Sequence, residues 1–340
     1  MKKTITIIFA GFVALLLACQ SGEQVRTLRL AHVLDVNSPV HKGMAHLGER
    51  LEALSGGKMK VILYPGSQLG NERETLELLQ LGSLDIAKVS SAVVENFVPE
   101  MGVYSLPYLF RDANHYWQVF NGEIGQEILL KGEQYWLRGL CYYDAGFRSF
   151  FLRNTAVESP EDLNGLKIRV MRSNLQIQTV NLLGGNATPL AWGELYSALQ
   201  QGVVDGAENN PPNFFQNKFF ELCDYLVLDE HSAPPDVLMM STHVWEKLSP
   251  QEQQWLDQAV QESVAFQRKL WDDMTEEALK AVVEKGVTVI RPDKQPFLAS
   301  VQPIYDDLKG TEMGKLAERI QNLPPENDTT TADSLKGATE

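Results

Sequence analysis

The sequence has little positive charge relative to negative charge. Among 340 residues, 30 lysines and arginines face 44 aspartates and glutamates, which gives a formal net charge of −14 at pH 7. No block of lysines or arginines interrupts this acidic composition. Binding to nucleic acid or to an anionic lipid surface depends on clustered cations, so the composition argues against both partners. An anionic ligand would need arginines placed locally around it.

The sequence also lacks the short motifs of common catalytic and cofactor sites. It contains no GxSxG, HExxH, GxxxxGK[ST] or GxGxxG segment. Its six histidines are scattered, and the spacing of His41 and His46 does not place both on one helical face as a zinc pair. We therefore expect no cofactor, no metal and no enzyme activity. His32 is a separate case, because it lies near the carboxyl end of the first predicted strand, where ligand clefts form.

Cysteine is scarce as well. Apart from Cys19 the chain has only Cys141 and Cys223, which are far apart and lack CxxC spacing. A disulfide between them is permitted outside the cytoplasm, but the sequence does not require one.

The amino terminus has the pattern of a targeting signal. Lys2 and Lys3 precede the apolar run TITIIFAGFVALLLAC, which ends at Cys19. This pattern predicts a secretory signal at residues 1–18, and the run is too short for a convincing membrane-spanning helix. The segment LLAC resembles the lipobox of bacterial lipoproteins, which implies a lipid on Cys19; the alternative is an incidental cysteine. Removal of the signal would change the formal charge from −14 to −16.

Strand and helix patterns alternate along the rest of the chain. TLRLAHVL and KMKVILYP have the alternation of strands, and HKGMAHLGERLEALSGG that of an amphipathic helix. The pattern continues to VTVI at 287–290 and predicts an α/β fold of about two domains with doubly wound, mainly parallel sheets. Residues 249–285 predict one helix of roughly 50 Å that crosses both domains. The polar, proline-broken tail at 322–340 is predicted to be disordered.

The middle of the chain resembles a known family. The stretch from SPEDLNGLKIRVMR through GELYSALQQGVVDGAENNPPNFF is similar to DctP-type extracytoplasmic solute receptors of TRAP transporters, and YPGSQLGNERE and SLPYLF occur in the matching order. The resemblance implies a two-lobed periplasmic binding protein fold with mixed, doubly wound sheets. It places lobe I at 26–146 plus 234–272 and lobe II at 147–233 plus 273–321. It also implies a periplasmic receptor that delivers a small organic acid to a membrane permease.

Two arginines and an asparagine are the candidate carboxylate ligands that the resemblance implies. Arg169 lies in LKIRVM and matches the family arginine that pairs with the ligand carboxylate; the alternation alone would also suit a solvated edge strand. Arg148 has apolar neighbours on its face and would need an anion if buried, although a structural arginine between the lobes is the alternative. Asn209 matches a family asparagine at the ligand, whereas the following NNPP also suits a turn.

Further candidates surround the rest of the expected ligand. Trp192 stands where the family places an aromatic side chain over the ligand, and a core tryptophan is the alternative. Glu72 and Ser90 match positions that contact the ligand's polar end, although Glu72 also suits the first turn of a helix. Asn210 could bond a ring hydroxyl, and Phe214 could help to wall the pocket.

Three short segments of the sequence point to one ligand class among several. YYDAGFRSFF, DGAENNPPNFF and LDEHSAPPDVLMMS are most similar to the branch that takes sugar acids such as D-glucuronate and D-galacturonate. A C4-dicarboxylate or a 2-oxo acid would use the same arginine and remains an alternative. A different class of function, a secreted hydrolase or lyase acting on sugar acids with Glu72 as base, also remains open at this point.

Overall fold

The computed structural model describes residues 25–325. The predicted signal at 1–18, Cys19 and most of the predicted disordered tail lie outside these residues. Within the described range, no helix is both long and apolar enough to cross a lipid bilayer.

The first lobe is built on a five-stranded sheet. Its strands lie in the order β2-β1-β3-β10-β4. They are β1 (Arg26–Ala31), β2 (Met59–Tyr64), β3 (Ile86–Ser90), β4 (Leu137–Tyr143) and β10 (Asp236–Ser241). Strand β1 runs parallel to β2 and β3, whereas β10 runs antiparallel to β3 and β4. Because β3 is buried along its whole length, it forms the centre of this lobe.

The second lobe is built on a six-stranded sheet of order β11-β9-β5-β8-β6-β7. Its strands are β5 (Arg148–Leu152), β6 (Lys167–Val170), β7 (Asn186–Pro189), β8 (Gly206–Asn209), β9 (Tyr225–Ser232) and β11 (Thr288–Ile290). Strands β6, β7 and β8 are parallel, β9 is parallel to β11, and β5 is antiparallel to β8 and β9. The sheets are therefore mixed, as the family resemblance implied, and not mainly parallel as the element order alone predicted.

Helices cover both sheets. They are α1 (Pro39–Leu54), α2 (Glu72–Gln80), α3 (Ser91–Val94), α4 (Ala113–Asn121), α5 (Glu123–Leu130), α6 (Asn174–Leu182), α7 (Leu195–Gln200), α8 (Pro211–Gln216), α9 (Thr242–Trp245), α10 (Pro250–Glu284), α11 (Lys294–Leu308) and α12 (Glu312–Gln321). Short 3-10 helices lie at Pro99–Ser105, Glu133–Tyr135, Pro160–Leu163, Trp192–Glu194 and Phe219–Glu221.

Helix α10 is the long helix that the sequence predicted. Ser249 caps its first turn in a capping box with Glu252, and the helix continues unbroken for 35 residues. It packs against α1 in the first lobe and α8 in the second, so it spans both. A Cβ atom at Gly43 of α1 would lie 2.7 Å from the Cβ of Gln267, so only glycine permits this close approach of α1 to α10. The predicted helix and its crossing of both lobes are confirmed.

Two short connections and α10 join the lobes. Residues 144–147 lead from β4 to β5, and residues 233–235 lead back from β9 to β10. Gln267 of α10 fixes the first connection, because its amide accepts from the Asp144 backbone N–H at 2.9 Å and donates to the Asp144 carbonyl at 2.9 Å. These two bonds hold the connection against the long helix.

Helix α12 lies against the first lobe, although the predicted lobe II extended to residue 321. It packs beside the 3-10 helix at 99–105. The Ile320 carbonyl lies 2.8 Å from His115 Nε2, and Arg319 forms an ion pair with Glu127 at 3.0 Å. The helix's apolar face has its partners in the first lobe, which sequence order does not reveal.

Both described cysteines are reduced and buried. Cys141 lies in β4 of the first lobe and Cys223 lies just before β9 of the second. Burial raises the pKa of both thiols, that of Cys223 to about 12.

Candidate functional site

A polar cavity lies between the lobes, where several strands end. Its walls come from both lobes: β3, α2 and the start of β10 from the first, and β5, β6 and β8 from the second. Its lining residues are Val33, Leu34, Glu72, Lys88, Ser90, Ala145, Arg148, Arg169, Met171, Trp192, Asn209, Asn210, Asn213, Pro234 and Asp236. An adjoining cavity shares Glu72, Arg169 and Trp192. Seven of the nine predicted ligand-binding residues thus meet in one place.

Arg169 is a buried cation in the middle of the second lobe's sheet. Strand β6 lies between β7 and β8, and Arg169 is only 2% exposed, so it does not belong to a solvated edge strand. Its Nε and Nη2 atoms donate to the Leu190 carbonyl at 3.0 and 2.8 Å. Nη1 is buried and has no hydrogen-bond partner among the described residues. Burial lowers the pKa of Arg169 to about 10, so the guanidinium stays charged at neutral pH.

Arg148 is held by an ion pair inside its own lobe. It forms a two-pronged pair with Glu208 on the neighbouring strand β8, with Nη2 to Oε1 at 2.9 Å. Its Nη1 atom donates to Asn209 Oδ1 at 2.9 Å. Burial alone would raise the pKa of Glu208, but Arg148 and the bonded His231 lower it to about 2. Arg148 therefore has a direct ion-pair partner, whereas Arg169 forms no ion pair with a described residue and feels carboxylates such as Glu208 only from a distance.

Asn209 is oriented by its neighbours. Its Oδ1 atom accepts from Arg148 and also from the Asn210 backbone N–H at 2.8 Å and from Asn213 Nδ2 at 3.2 Å. With three donors on the carbonyl oxygen, the Nδ2 hydrogens are left without a bond to the described chain and belong to the cavity wall. Asn209 thus presents a fixed amide donor to the cleft.

The first lobe contributes acidic groups to the same cavity. Glu72 opens α2 directly after the cap residue Asn71, and its Oε1 atom accepts from the Ser90 backbone N–H at 3.0 Å. Lys88 extends from buried strand β3 and lies 3.4 Å from Glu72 and 2.9 Å from Asp236. Glu72 and Ser90 were predicted here. Lys88 and Asp236 were not, although a lysine inside the apolar run DIAKVS was a signal for a buried cation with a partner.

Trp192 lies at the edge of the cavity and is half-buried. Its ring meets Phe219 edge-on at a centroid distance of 5.7 Å, and the Arg169 guanidinium carbon lies 5.9 Å from its centroid. The indole is neither a pure core residue nor a free surface residue. It forms an apolar wall beside the charged group of Arg169.

The predicted residues His32, Asn210 and Phe214 make other contacts in the structure than the expected ones. His32 Nε2 lies 2.9 Å from His41 Nδ1, and its Nδ1 accepts from the Leu34 backbone N–H, so both ring nitrogens have partners within the protein and His32 is not among the residues that line the cavity. Burial lowers the pKa of His32 to about 3. Asn210 borders the cavity, but its amide caps α8 and donates to the Ala145 carbonyl at 2.9 Å. Its predicted bond to a ring hydroxyl therefore competes with this capping role.

Phe214 is the clearest departure from the predicted site. Its side chain is fully buried and packs against Phe151 at a centroid distance of 5.1 Å in the core of the second lobe. It is not among the residues that line the cavity. The side chain follows the apolar face of α8 into the core, because burial there removes more apolar surface from water than a polar cleft would.

A buried charge network that the sequence did not reveal lies behind Arg148. His231 in β9 lies 2.8 Å from Asp229 and 3.8 Å from Glu208. Burial alone would lower the pKa of His231, but the two carboxylates outweigh it and raise the pKa to about 9. Two cations and two anions thus balance one another in the network formed by Arg148, Glu208, His231 and Asp229. This network fixes Arg148 and, through it, Asn209.

A larger cavity than the one around Arg169 lies at the connection between the lobes. It measures about 430 Å³ and is bordered by Asp144, Glu230, Asp272 and Glu276. No lysine or arginine of the described chain lines it. An anion would meet only like charge there, so the polar cavity around Arg169 is the better candidate site. Among residues 25–325, no cluster of histidine, cysteine and acidic side chains is arranged to hold a metal ion.

Comparison with known proteins gives a consistent family. Residues 30–311 match the family model DctP, described as bacterial extracellular solute-binding protein, family 7. The uncharacterized protein YiiZ of Salmonella typhimurium is 40% identical over 303 residues, which cover 88% of this chain and 92% of that protein.

Solved structures agree in fold and sequence. A TRAP periplasmic solute-binding protein from a Bradyrhizobium species, in complex with D-galacturonate, has a TM-score of 0.85 and 41% identity over 88% of this chain and all of that chain. A TRAP periplasmic solute-binding protein from Anaerococcus prevotii, with bound D-glucuronate, has a TM-score of 0.85 and 33% identity over 87% of this chain and 97% of that chain. The predicted two-lobed fold is confirmed by these likenesses.

Proposed function

The chain belongs to the DctP family, family 7 of the bacterial extracellular solute-binding proteins, and on that premise we propose that it is a TRAP receptor for a uronate, D-galacturonate or D-glucuronate. The protein binds the acid between its lobes and does no chemistry on it. Both ligands occur in the similar structures from Bradyrhizobium and Anaerococcus prevotii. A polar cavity lined by both lobes supports the same class of function.

The observation that carries this proposal is the geometry of Arg169. Its Nε and Nη2 atoms share the Leu190 carbonyl, which leaves the Nη1 atom and the second Nη2 hydrogen along one edge of the guanidinium. Two parallel N–H groups on one edge match the two oxygens of a carboxylate. A buried donor without a partner is costly, so a carboxylate that fills this place gains a charge-assisted bond and removes the cost.

Asn209 and Trp192 complete a carboxylate site beside Arg169. The free Nδ2 hydrogens of Asn209 provide a neutral donor that needs no countercharge. The indole of Trp192 supplies an apolar wall on which the C–H face of a sugar ring can lie. Arg148 acts mainly through Asn209, because Glu208 already neutralises its charge.

The direct test is calorimetric titration of the purified protein with a panel of acids. The panel contains D-galacturonate, D-glucuronate, a C4-dicarboxylate and a 2-oxo acid. We expect one-to-one binding of at least one uronate, with the unaltered acid recovered afterwards. Binding of only the dicarboxylate or the 2-oxo acid would replace the uronate by that ligand, and conversion of any acid to a product would favour the enzyme alternative with Glu72 as base.

We further propose that the receptor delivers its ligand to a membrane permease and is tethered to a membrane in the periplasm. The tether is a lipid on Cys19, as the segment LLAC indicates. A lipid chain holds a protein at a surface without spanning the bilayer. This would keep the receptor close to its permease.

The tether predicts a specific change in cell fractionation. Cys19→Ser removes the thiol that would carry the lipid, so we expect the variant in the soluble periplasmic fraction and the unaltered protein in the membrane fraction. The buried Cys141→Ser variant serves as the control and should fractionate with the membrane. Membrane association that survives Cys19→Ser would contradict the lipid anchor and leave the receptor function untouched.

A further inference from the structure

A second charged cluster lies in the first lobe and lines the same cavity as Arg169. It consists of Lys88, Glu72 and Asp236, which we call the acidic cluster. Lys88 Nζ lies 2.9 Å from Asp236 Oδ1 and 3.4 Å from Glu72 Oε1. The Lys88 side chain is 2% exposed, and those of Glu72 and Asp236 are 13% and 11% exposed. The cluster is therefore a buried part of the cavity wall.

The acidic cluster has an excess of one negative charge. One ammonium group faces two carboxylates, and burial opposes the charge on Lys88, but Asp236 and Glu72 raise its pKa above the usual value. Neither of the two arginines that line the cavity forms an ion pair with this cluster. Arg148 is paired with Glu208, and Arg169, which feels the charge of Glu72 across the cavity, donates to the Leu190 carbonyl.

Several acceptor atoms of the cluster are free. Glu72 Oε1 accepts from the Ser90 backbone N–H and forms an ion pair with Lys88, and Asp236 Oδ1 accepts from Lys88. The second carboxylate oxygen of each acid makes no hydrogen bond to another described residue, nor does the Ser90 hydroxyl. This part of the wall thus offers mainly hydrogen-bond acceptors to a ligand, whereas Arg169 and Asn209 offer donors.

We propose that the acidic cluster selects polyhydroxy monocarboxylates by accepting hydrogen bonds from ligand hydroxyl groups and by repelling a second carboxylate. The proposal rests on the receptor function and on Arg169 as the carboxylate site. Because Glu72 and Asp236 line the same cavity as Arg169, a uronate whose acid binds Arg169 would have its hydroxyl groups beside these two carboxylates. A dicarboxylate in the same pose brings its second anion to two carboxylates in a place poor in water, where like charges repel most strongly. The site therefore excludes C4-dicarboxylates and aldarates.

The test compares acids that share one carboxylate and differ in whether the opposite end of the molecule carries a second carboxylate. D-galacturonate, D-glucuronate, galactarate and succinate are titrated into the full protein by calorimetry. We expect the better uronate to bind about 100-fold more tightly than either dicarboxylate, because a desolvated like-charge contact costs several kcal/mol.

Charge-neutralising variants then test the cause of the preference. Asp236→Asn and Glu72→Gln each remove the net negative charge of the cluster while keeping the side-chain shape. We expect the ratio of dicarboxylate to uronate dissociation constants to fall at least about fivefold in each variant. Glu277→Gln, which removes one charge from an exposed position of α10, is the matched control and should leave the ratio unchanged.

The outcomes separate this inference from the receptor function. If galactarate or succinate binds the unaltered protein as tightly as the better uronate, the selection by the acidic cluster is wrong and the carboxylate receptor stands. The same conclusion follows if the ratio stays constant in both Asp236→Asn and Glu72→Gln. Failure of every acid to bind would overturn the proposed function itself, and the inference with it.

Discussion

The guanidinium of Arg169 combines two features that are rarely stable together. It is buried, and one of its nitrogens has no partner within the described chain. The Leu190 carbonyl holds its Nε–Nη2 side, so the group cannot turn to find another acceptor. A ligand carboxylate therefore meets a donor edge that is already in position, and little side-chain entropy is lost on binding.

This geometry predicts unequal effects for two substitutions at position 169. Arg169→Ala removes the charge and both donors, so we expect uronate binding to weaken by about 2–5 kcal/mol. Arg169→Lys keeps the charge but loses the planar fork, so we expect a smaller but clear loss. Arg291→Gln removes an exposed arginine and serves as the control. The measurement is calorimetric titration with D-galacturonate and D-glucuronate, and near-normal affinity in Arg169→Ala would contradict the clamp.

Single residues of the site differed in how well the sequence could predict them. Arg169 and Asn209 lie in the stretch that resembles the family, Arg148 precedes it and was matched to a family arginine, and the structure places all three at one cavity. Their role as ligand contacts stays a prediction. Phe214 and His32 were misplaced because an aromatic or imidazole side chain near a motif is as well suited to the core as to a cleft. Burial and hydrogen-bond partners decide between these places, and neither is written in local sequence.

Lys88 and Asp236 illustrate what sequence reasoning misses. Lys88 and Asp236 are 148 residues apart in the sequence. Strand β10 pairs with β3 so that Asp236 lies opposite Ser90, and this register brings the side chains of Lys88 and Asp236 into contact. Only the return of the chain from the second lobe brings them together. The lysine in a buried strand was a visible anomaly, but its partner could not be named without the register of that strand pair.

At the scale of helices and strands, local sequence signals predicted where an element begins and ends better than they predicted whether a strand runs parallel or antiparallel to its neighbours. Helix α10 begins at its serine cap and proline, and it runs without interruption because no interior glycine or proline stops it. The direction of β5 and β10 had no such signal. An alternating strand has the same apolar pattern whether its neighbours are parallel or antiparallel, so the mixed sheets became visible only with the topology.

Helix packing shows a second limit of the same kind. Gly43 lies inside α1, where glycine is unfavourable for a helix, so the local sequence does not explain why it is there. The reason is Gln267 of α10, which occupies the space that a Cβ atom would need. Gln267 in turn holds the Asp144 backbone at the connection between the lobes. A contact between two helices 224 residues apart therefore positions the interlobe connection, and no local pattern encodes it.

The two lobes are in contact across the cleft. Asn96 of the first lobe donates to the Arg172 carbonyl of the second at 2.8 Å, and Gln216 of the second donates to the Asn37 carbonyl of the first at 3.2 Å. The cavity around Arg169 is lined by both lobes, and Arg169 and Asn209 in its wall are each only 2% exposed to solvent. Ligand entry therefore requires the lobes to separate, and closure around a ligand then joins Arg169 to the acidic cluster.

This arrangement predicts a ligand-dependent change in the distance between the lobes. Spin labels on Val36→Cys and Lys218→Cys, both exposed and near the Gln216–Asn37 contact, would report it by pulsed electron resonance. Cys141 and Cys223 should not compete for the label, because both thiols are buried and their pKa values are raised.

We expect a saturating uronate to shift the label distances toward one short, narrow distribution, because a ligand that contacts both lobes favours the closed state. In an Arg169→Ala background the same concentration should leave the distribution of the free protein nearly unchanged. If the doubly labelled protein with an intact Arg169 gave the same label-distance distribution with and without bound uronate, closure of the lobes would not be coupled to binding. Uronate would then reach Arg169 and the acidic cluster without a movement of the lobes, which would contradict the opening that the burial of these groups implies.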